Sequence, residues 1–167
     1  MAEQCFNLDA SRSKEERYQD FLSQFSCFIE GIDEPVSIYA NASAALREAF
    51  GFFWVGFYLV KGERLVVGPF QGSAACSVIL KGRGVCGSAW AEKRTLVVPD
   101  VDAFPGHIAC SSLSRSEIVI PLFHEDEVIA VLDIDSKKLA DFDEVDRIYL
   151  EKVAQMISRQ AAINPKI

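Results

Sequence analysis

Residues 116–136 read SEIVIPLFHEDEVIAVLDIDS. Two apolar runs, Ser116–Phe123 and Val128–Asp135, flank the polar break His124-Glu125-Asp126-Glu127. Runs of this length, rich in β-branched residues and joined by so short a break, predict the two antiparallel strands of a hairpin. Side chains alternate across a strand, so parity sorts them into faces. In the first run Ile118, Ile120 and Leu122 share one face, and Glu117 and Val119 take the other. In the second run Ala130, Leu132 and Ile134 share one face, and Val131, Asp133 and Asp135 the other.

Upstream, Phe52–Val60 and Leu65–Phe70 flank Lys61-Gly62-Glu63 and predict a second hairpin. There Phe53, Val55, Phe57 and Leu59 share one face, opposite Trp54, Gly56 and Tyr58. Cys76–Leu80 and Thr95–Pro99 predict shorter strands, with a glycine-punctuated turn and a short helix over Val85–Lys93 between them. Residues 100–115 carry no periodicity, and a long irregular loop inside a small domain is more often functional than idle.

Both ends of the chain read as helix. Ser13 and Glu16 fit a capping box ahead of Tyr18, Phe21, Leu22, Phe25, Phe28 and Ile29, with Gly31 closing the segment. Asp33 and Pro35 open a second helix carrying Val36, Tyr39, Leu46 and Ala49, stopped at Gly51. A last helix starts near Asp143 and carries Val145, Tyr149, Val153, Met156 and Ile157. Helices at both ends of hairpin-joined strands predict an α+β fold around a central, mainly antiparallel sheet. The 167 residues are expected to form one domain, with 1–12 a frayed N-terminal extension.

Composition narrows the function classes. Half the residues are hydrophobic and a quarter charged, enough to bury a core, which excludes disorder and low-complexity classes. With 17 basic and 24 acidic side chains the net charge is −7, which disfavours a phosphate backbone as partner. No apolar run approaches the roughly 20 residues needed to span a bilayer. The first 30 residues lack the basic start and apolar stretch of a secretory signal, so a cytoplasmic, reducing setting is expected.

Each strand thus has one wholly apolar face for the terminal helices to cover. The remaining faces gather Trp54, Tyr58, Gly56 and the carboxylates Glu117, Asp133 and Asp135. Aspartate is poorly suited to strand interiors, and two at i and i+2 repel each other. A pocket with aromatic walls and carboxylates that bind a cation accounts for all of them.

Five cysteines, Cys5, Cys27, Cys76, Cys86 and Cys110, leave at least one outside any intrachain disulfide. Cys5 and Cys27 read as bystanders in the N-terminal segments. The other three stand beside turning segments, Cys110 within the irregular loop. Cys86 opens the short helix, where amide donors and the helix dipole favour thiolate. Gly82-Arg83-Gly84-Val85-Cys86-Gly87 imitates a dinucleotide fingerprint, but the helix is too short and the flanking strands form hairpins. A zinc site from Cys76, Cys86, Cys110 and His107 lacks the close cysteine pair of structural zinc, so no metal is expected. A protease dyad of Cys110 with His107 or His124 is disfavoured. His107 is three residues away on the same loop with no evident orienting partner, and dyad members usually come from separate elements.

Several segments together resemble one family. They are Gly68-Pro69-Phe70-Gln71-Gly72, Gly84-Val85-Cys86-Gly87, Gly106-His107-Ile108-Ala109-Cys110, Ser116-Glu117-Ile118-Val119 and Leu132-Asp133-Ile134-Asp135-Ser136, with Phe142-Asp143 entering the last helix. These resemble the free methionine-(R)-sulfoxide reductases, which are built on a GAF domain. Ser111 departs from the pattern, since an aspartate commonly follows the loop cysteine.

The resemblance implies a GAF fold, a homodimer, no bound cofactor, and reduction of free methionine-(R)-sulfoxide with thioredoxin as reductant. It implies Cys110 as the attacking cysteine, Cys76 as its disulfide partner and Cys86 as the third family cysteine. It also places Trp54, Tyr58, Glu117, Asp133 and Asp135 in the substrate pocket, with Glu117 the first choice of acid. The rival expectation is a non-catalytic GAF module that binds a small ligand or senses redox state.

Overall fold

Ser13 begins the first helix as its sequence demands. Its hydroxyl accepts from the Glu16 amide at 3.2 Å, and its own amide donates to the Glu16 carboxylate at 2.9 Å. Helix α1 (Lys14–Ile29) is followed by α2 (Pro35–Phe50), which starts on Pro35 and ends at Gly51. Gly51 takes the left-handed conformation (φ 69°) and donates its amide to the Arg47 carbonyl. The computed structural model describes residues 6–107 and 111–162.

Both predicted hairpins form. Strands β1 (Trp54–Lys61) and β2 (Arg64–Gln71) make one, and β5 (Ser116–His124) and β6 (Glu127–Ser136) the other. Between them run β3 (Val78–Leu80), helix α3 (Gly84–Glu92) and β4 (Leu96–Val98). The sheet order is β3-β2-β1-β6-β5-β4, and every neighbouring pair is antiparallel. Helix α4 (Glu144–Ala162) follows β6. The expected α+β class with a mainly antiparallel sheet is the fold observed.

The two sheet faces carry different cores. On one, Val55, Phe57, Ile118, Ile120, Leu132 and Ile134 pack against Tyr18, Phe21 and Phe25 of α1, Ile38 and Leu46 of α2, and Leu150 and Ile157 of α4. Each such side chain contributes about 1.5–3 kcal/mol on burial, so this layer holds most of the stability. Tyr18 is fully buried there, its hydroxyl donating to Asp146 Oδ1 at 2.8 Å. Phe6 of the N-terminal extension is buried among Phe21, Phe25 and Phe28, and its amide donates to Glu48 Oε2. The extension is therefore anchored at that residue.

On the other face Trp54, Tyr58, Val119 and Val131 pack against Val85, Cys86, Ala89 and Trp90 of α3. Phe53 departs from the expected parity. It precedes β1 and packs with this second core, with Lys137 Nζ 4.6 Å above its ring. Strand alternation does not extend past a strand's end.

Candidate active site

Strand register brings the odd residues of the apolar runs together. Glu117 of β5 pairs with Asp135 of β6, which pairs in turn with Trp54 of β1. In the next row on the same face, Val119, Asp133 and Gly56 stand side by side. Tyr58 and Val131 follow. Three carboxyls and two large aromatics thus share one face across three strands, beneath α3.

The aromatic wall is fixed from several directions. Trp54 stacks on Phe70 with centroids 5.2 Å apart and lies 6.2 Å from Tyr58. Its indole Nε1 donates to the Ser73 carbonyl at 2.9 Å, and the Tyr58 hydroxyl donates to the Cys76 carbonyl at 3.0 Å. Gly56 makes the stacking possible: a Cβ there would stand 2.2 Å from Phe70 Cβ and 2.8 Å from Trp54 Cη2. Gly72 has φ +139°, and a Cβ on it would meet Trp54 Cδ1 at 2.4 Å. Both glycines let the 70–73 segment close over the indole.

Two of the carboxyls are buried and the third, Asp135, is half-buried, without a counter-cation among the described residues. Glu117 is 6% exposed and Asp133 7%, and no ion pair among the described residues involves either of them or Asp135. Among the described residues Asp133 Oδ1 has no hydrogen-bond partner. Burial, then the Asp133 and Asp135 charges, raises Glu117 well above the ordinary carboxylate range. Burial, then Asp135, raises Asp133 in the same way. Burial pushes Asp135 up to about 6, against the pull of the Ser114 hydroxyl. Burial followed by the neighbouring Asp133 also raises the Tyr58 phenol.

Cys86 overturns one expectation. It sits in the first turn of α3, but its thiol points into this cluster, 3.9 Å from Glu117 Oε1. Burial, then the Asp133 and Glu117 charges, drives the thiol well above its usual value, so it rests as thiol. Burial and adjacent negative charge outweigh the helix dipole, an effect of at most about 2 kcal/mol.

A cavity of about 40 Å³ opens among these groups, enough for roughly three waters. Trp54, Tyr58, Cys86, Glu117, Asp133 and Asp135 line it, so six of the eight residues expected at the site meet here. Cys76 is disulfide-bonded and touches the site through its carbonyl, while Cys27 and Cys86 carry free thiols. Cys110 lies outside the described residues, as does Cys5; His107 and Ser111, on either side of Cys110, both line the cavity. The sequence reading missed Ser73, Ala74, Ala75 and Ser114, which also line it. Small residues in irregular backbone carry no periodic signal that would have found them.

Residues 34–164 match the GAF domain family. Free methionine-R-sulfoxide reductase of Escherichia coli is 40% identical, over 90% of this chain and 92% of that protein. The solved free methionine-R-sulfoxide reductase of Neisseria meningitidis, in complex with its substrate, is 49% identical at a TM-score of 0.92, covering 96% of both chains. The chain belongs to the free methionine-(R)-sulfoxide reductases. GAF domain-containing protein A of Dictyostelium discoideum is 55% identical over 87% of this chain and 92% of its own length. In this reductase the aromatics and carboxyls that parity grouped line the cavity beneath α3. No helix among its described residues is long and apolar enough to cross a membrane.

Proposed function

We propose that this reductase converts free L-methionine-(R)-sulfoxide to methionine through a cysteine sulfenic acid. The observation that carries the reading is two buried carboxyls, Glu117 and Asp133, with the half-buried Asp135 beside them, without a counter-cation among the described residues and next to an aromatic wall and the Cys76 segment. A buried anionic cluster calls for a cation, and the substrate's α-ammonium supplies one. Within a peptide chain that ammonium has become an amide, so a methionine sulfoxide that follows a peptide bond does not satisfy the cluster. Trp54 and Tyr58 would take the thioether and S-methyl, where sulfur–aromatic contact is favourable.

Cys110, as thiolate, attacks the sulfoxide sulfur. The S–O bond breaks, methionine leaves, and the oxygen ends on Cys110 as sulfenic acid with the proton that the acid delivers. Three crowded carboxyls facing one ammonium cannot all ionise, so one keeps a proton near neutral pH. Glu117 is that acid: it is the carboxyl raised by both aspartates. Asp133 and Asp135 hold the ammonium. The Cys76 thiol then condenses with the sulfenic acid, releasing water and forming a disulfide that thioredoxin reopens by exchange. That cycle belongs in a reducing compartment, and the homodimer of the family resemblance is part of the same proposal.

The test is NADPH oxidation coupled through thioredoxin and its reductase, with R and S epimers offered free and within a peptide. Turnover is expected for the free R epimer alone, and Cys110→Ser should abolish it. Binding of methionine sulfoxide without any turnover by the wild type would overturn the reading in favour of a ligand-binding GAF module.

A further inference from the structure

Three side chains able to ligate a metal, from the three elements α3, β5 and β6, converge in the lining of the pocket. Cys86 Sγ, one Glu117 oxygen and one Asp133 oxygen lie within 4.8 Å of one another, and all three residues are buried. Buried Asp133 Oδ1 makes no hydrogen bond among the described residues, and the cavity of about 40 Å³ opens on the group. We propose that this is a binding site for a thiophilic divalent cation of the zinc class, held by Cys86, Glu117 and Asp133 with water as fourth ligand.

Donor chemistry selects the cation. Calcium and magnesium take six or more oxygens, whereas one thiolate with two carboxylates suits a borderline-soft ion that accepts four ligands. Zinc–sulfur bonds of about 2.3 Å and zinc–oxygen bonds of about 2.0–2.2 Å put tetrahedral ligands roughly 3.5 Å apart. The Sγ to Oε1 separation of 3.9 Å is close to that. The other separations, all within 4.8 Å, need close by no more than about 1.3 Å, within reach of carboxylate rotation. Binding moves no electrons: the Cys86 thiol gives up its proton to solvent, as does any carboxyl still carrying one.

No metal is expected from the sequence, and this set differs from the zinc set rejected there, because it needs neither Cys76, Cys110 nor His107. Cys86 carries a free thiol while Cys76 is disulfide-bonded. The cation therefore binds the oxidised protein as well as the reduced one. It also occupies the place assigned above to the substrate ammonium, so zinc competes with methionine sulfoxide; that clause alone rests on the proposed reaction.

Zinc and cadmium are titrated into metal-free protein, oxidised and reduced, against a chromophoric chelator, with cadmium–thiolate absorption followed in the ultraviolet. One equivalent is expected to bind in both redox states with the thiolate band. Cys86→Ser should remove the band and weaken binding at least about tenfold, and Asp133→Asn should weaken it while keeping the band. Circular dichroism confirms that both variants fold. Loss of binding on oxidation, or binding indifferent to Cys86→Ser, overturns the site. Cadmium binding with no sulfoxide turnover would instead leave the site standing and remove the proposed reaction.

Discussion

Gly56 shows how much one missing methyl can decide. Adding it would place a carbon 2.2 Å from Phe70 Cβ, so either the β1–β2 pairing or the Trp54 stack must move. Overpacking of this kind costs about 1–3 kcal/mol. Gly56→Ala is expected to lower the urea midpoint accordingly and to raise KM for methionine sulfoxide more than it changes kcat. An unchanged KM would mean that the indole does not contact substrate. Parity placed Gly56 between Trp54 and Tyr58, but the reason for it is a neighbour on another strand, Phe70, which a single strand's pattern does not reveal. Cys86 marks the same limit. Its place at a helix start was legible, whereas the carboxylates that keep it a thiol come from β5 and β6.

At the scale of elements, β5 and β6 were readable because their alternation is complete and their connection short. Parity therefore grouped Glu117, Asp133 and Asp135 correctly, although not their depth, which depends on α3 lying over them. That depth sets a pH dependence. The Asp135 carboxyl is raised from 3.8 to about 6 on folding, so the native state holds a proton that the unfolded chain has lost. Its stabilising contribution is full below about pH 4 and lost as pH rises through 6, and is worth at most about 3 kcal/mol. Asp135→Asn removes this titration. The variant is expected to gain stability relative to wild type at pH 8 and to lose that advantage by pH 4, as urea unfolding at the two pH values will read. An equal difference at both would show that Asp135 does not titrate in this range. Glu117 and Asp133 are displaced in the same direction and add the same sign.

Across the whole molecule the sheet separates a stabilising layer from a working one. Leu150 of α4 is fully buried on the helix-covered side, so Leu150→Ala should cost about 2–5 kcal/mol and leave KM unchanged in the folded protein. A shifted KM would show that the two layers are mechanically coupled through the sheet. On the other side the cavity is rimmed by irregular backbone, Ser73–Ala75, Ser111 and Ser114. Such segments have few ladder hydrogen bonds and open locally at little free-energy cost, whereas β1, β5 and β6 open only with the global transition. Methionine sulfoxide seated between the carboxyls and Trp54 would touch both rim segments. Amide hydrogen exchange in residues 72–77 and 111–115 is therefore expected to slow on adding methionine sulfoxide, with α1, α2 and α4 unaffected. Protection confined to the helical layer would place the ligand on the wrong face of the sheet. Uniform protection would indicate general stabilisation with no local closure, and the rim would lose its assigned part in holding the substrate.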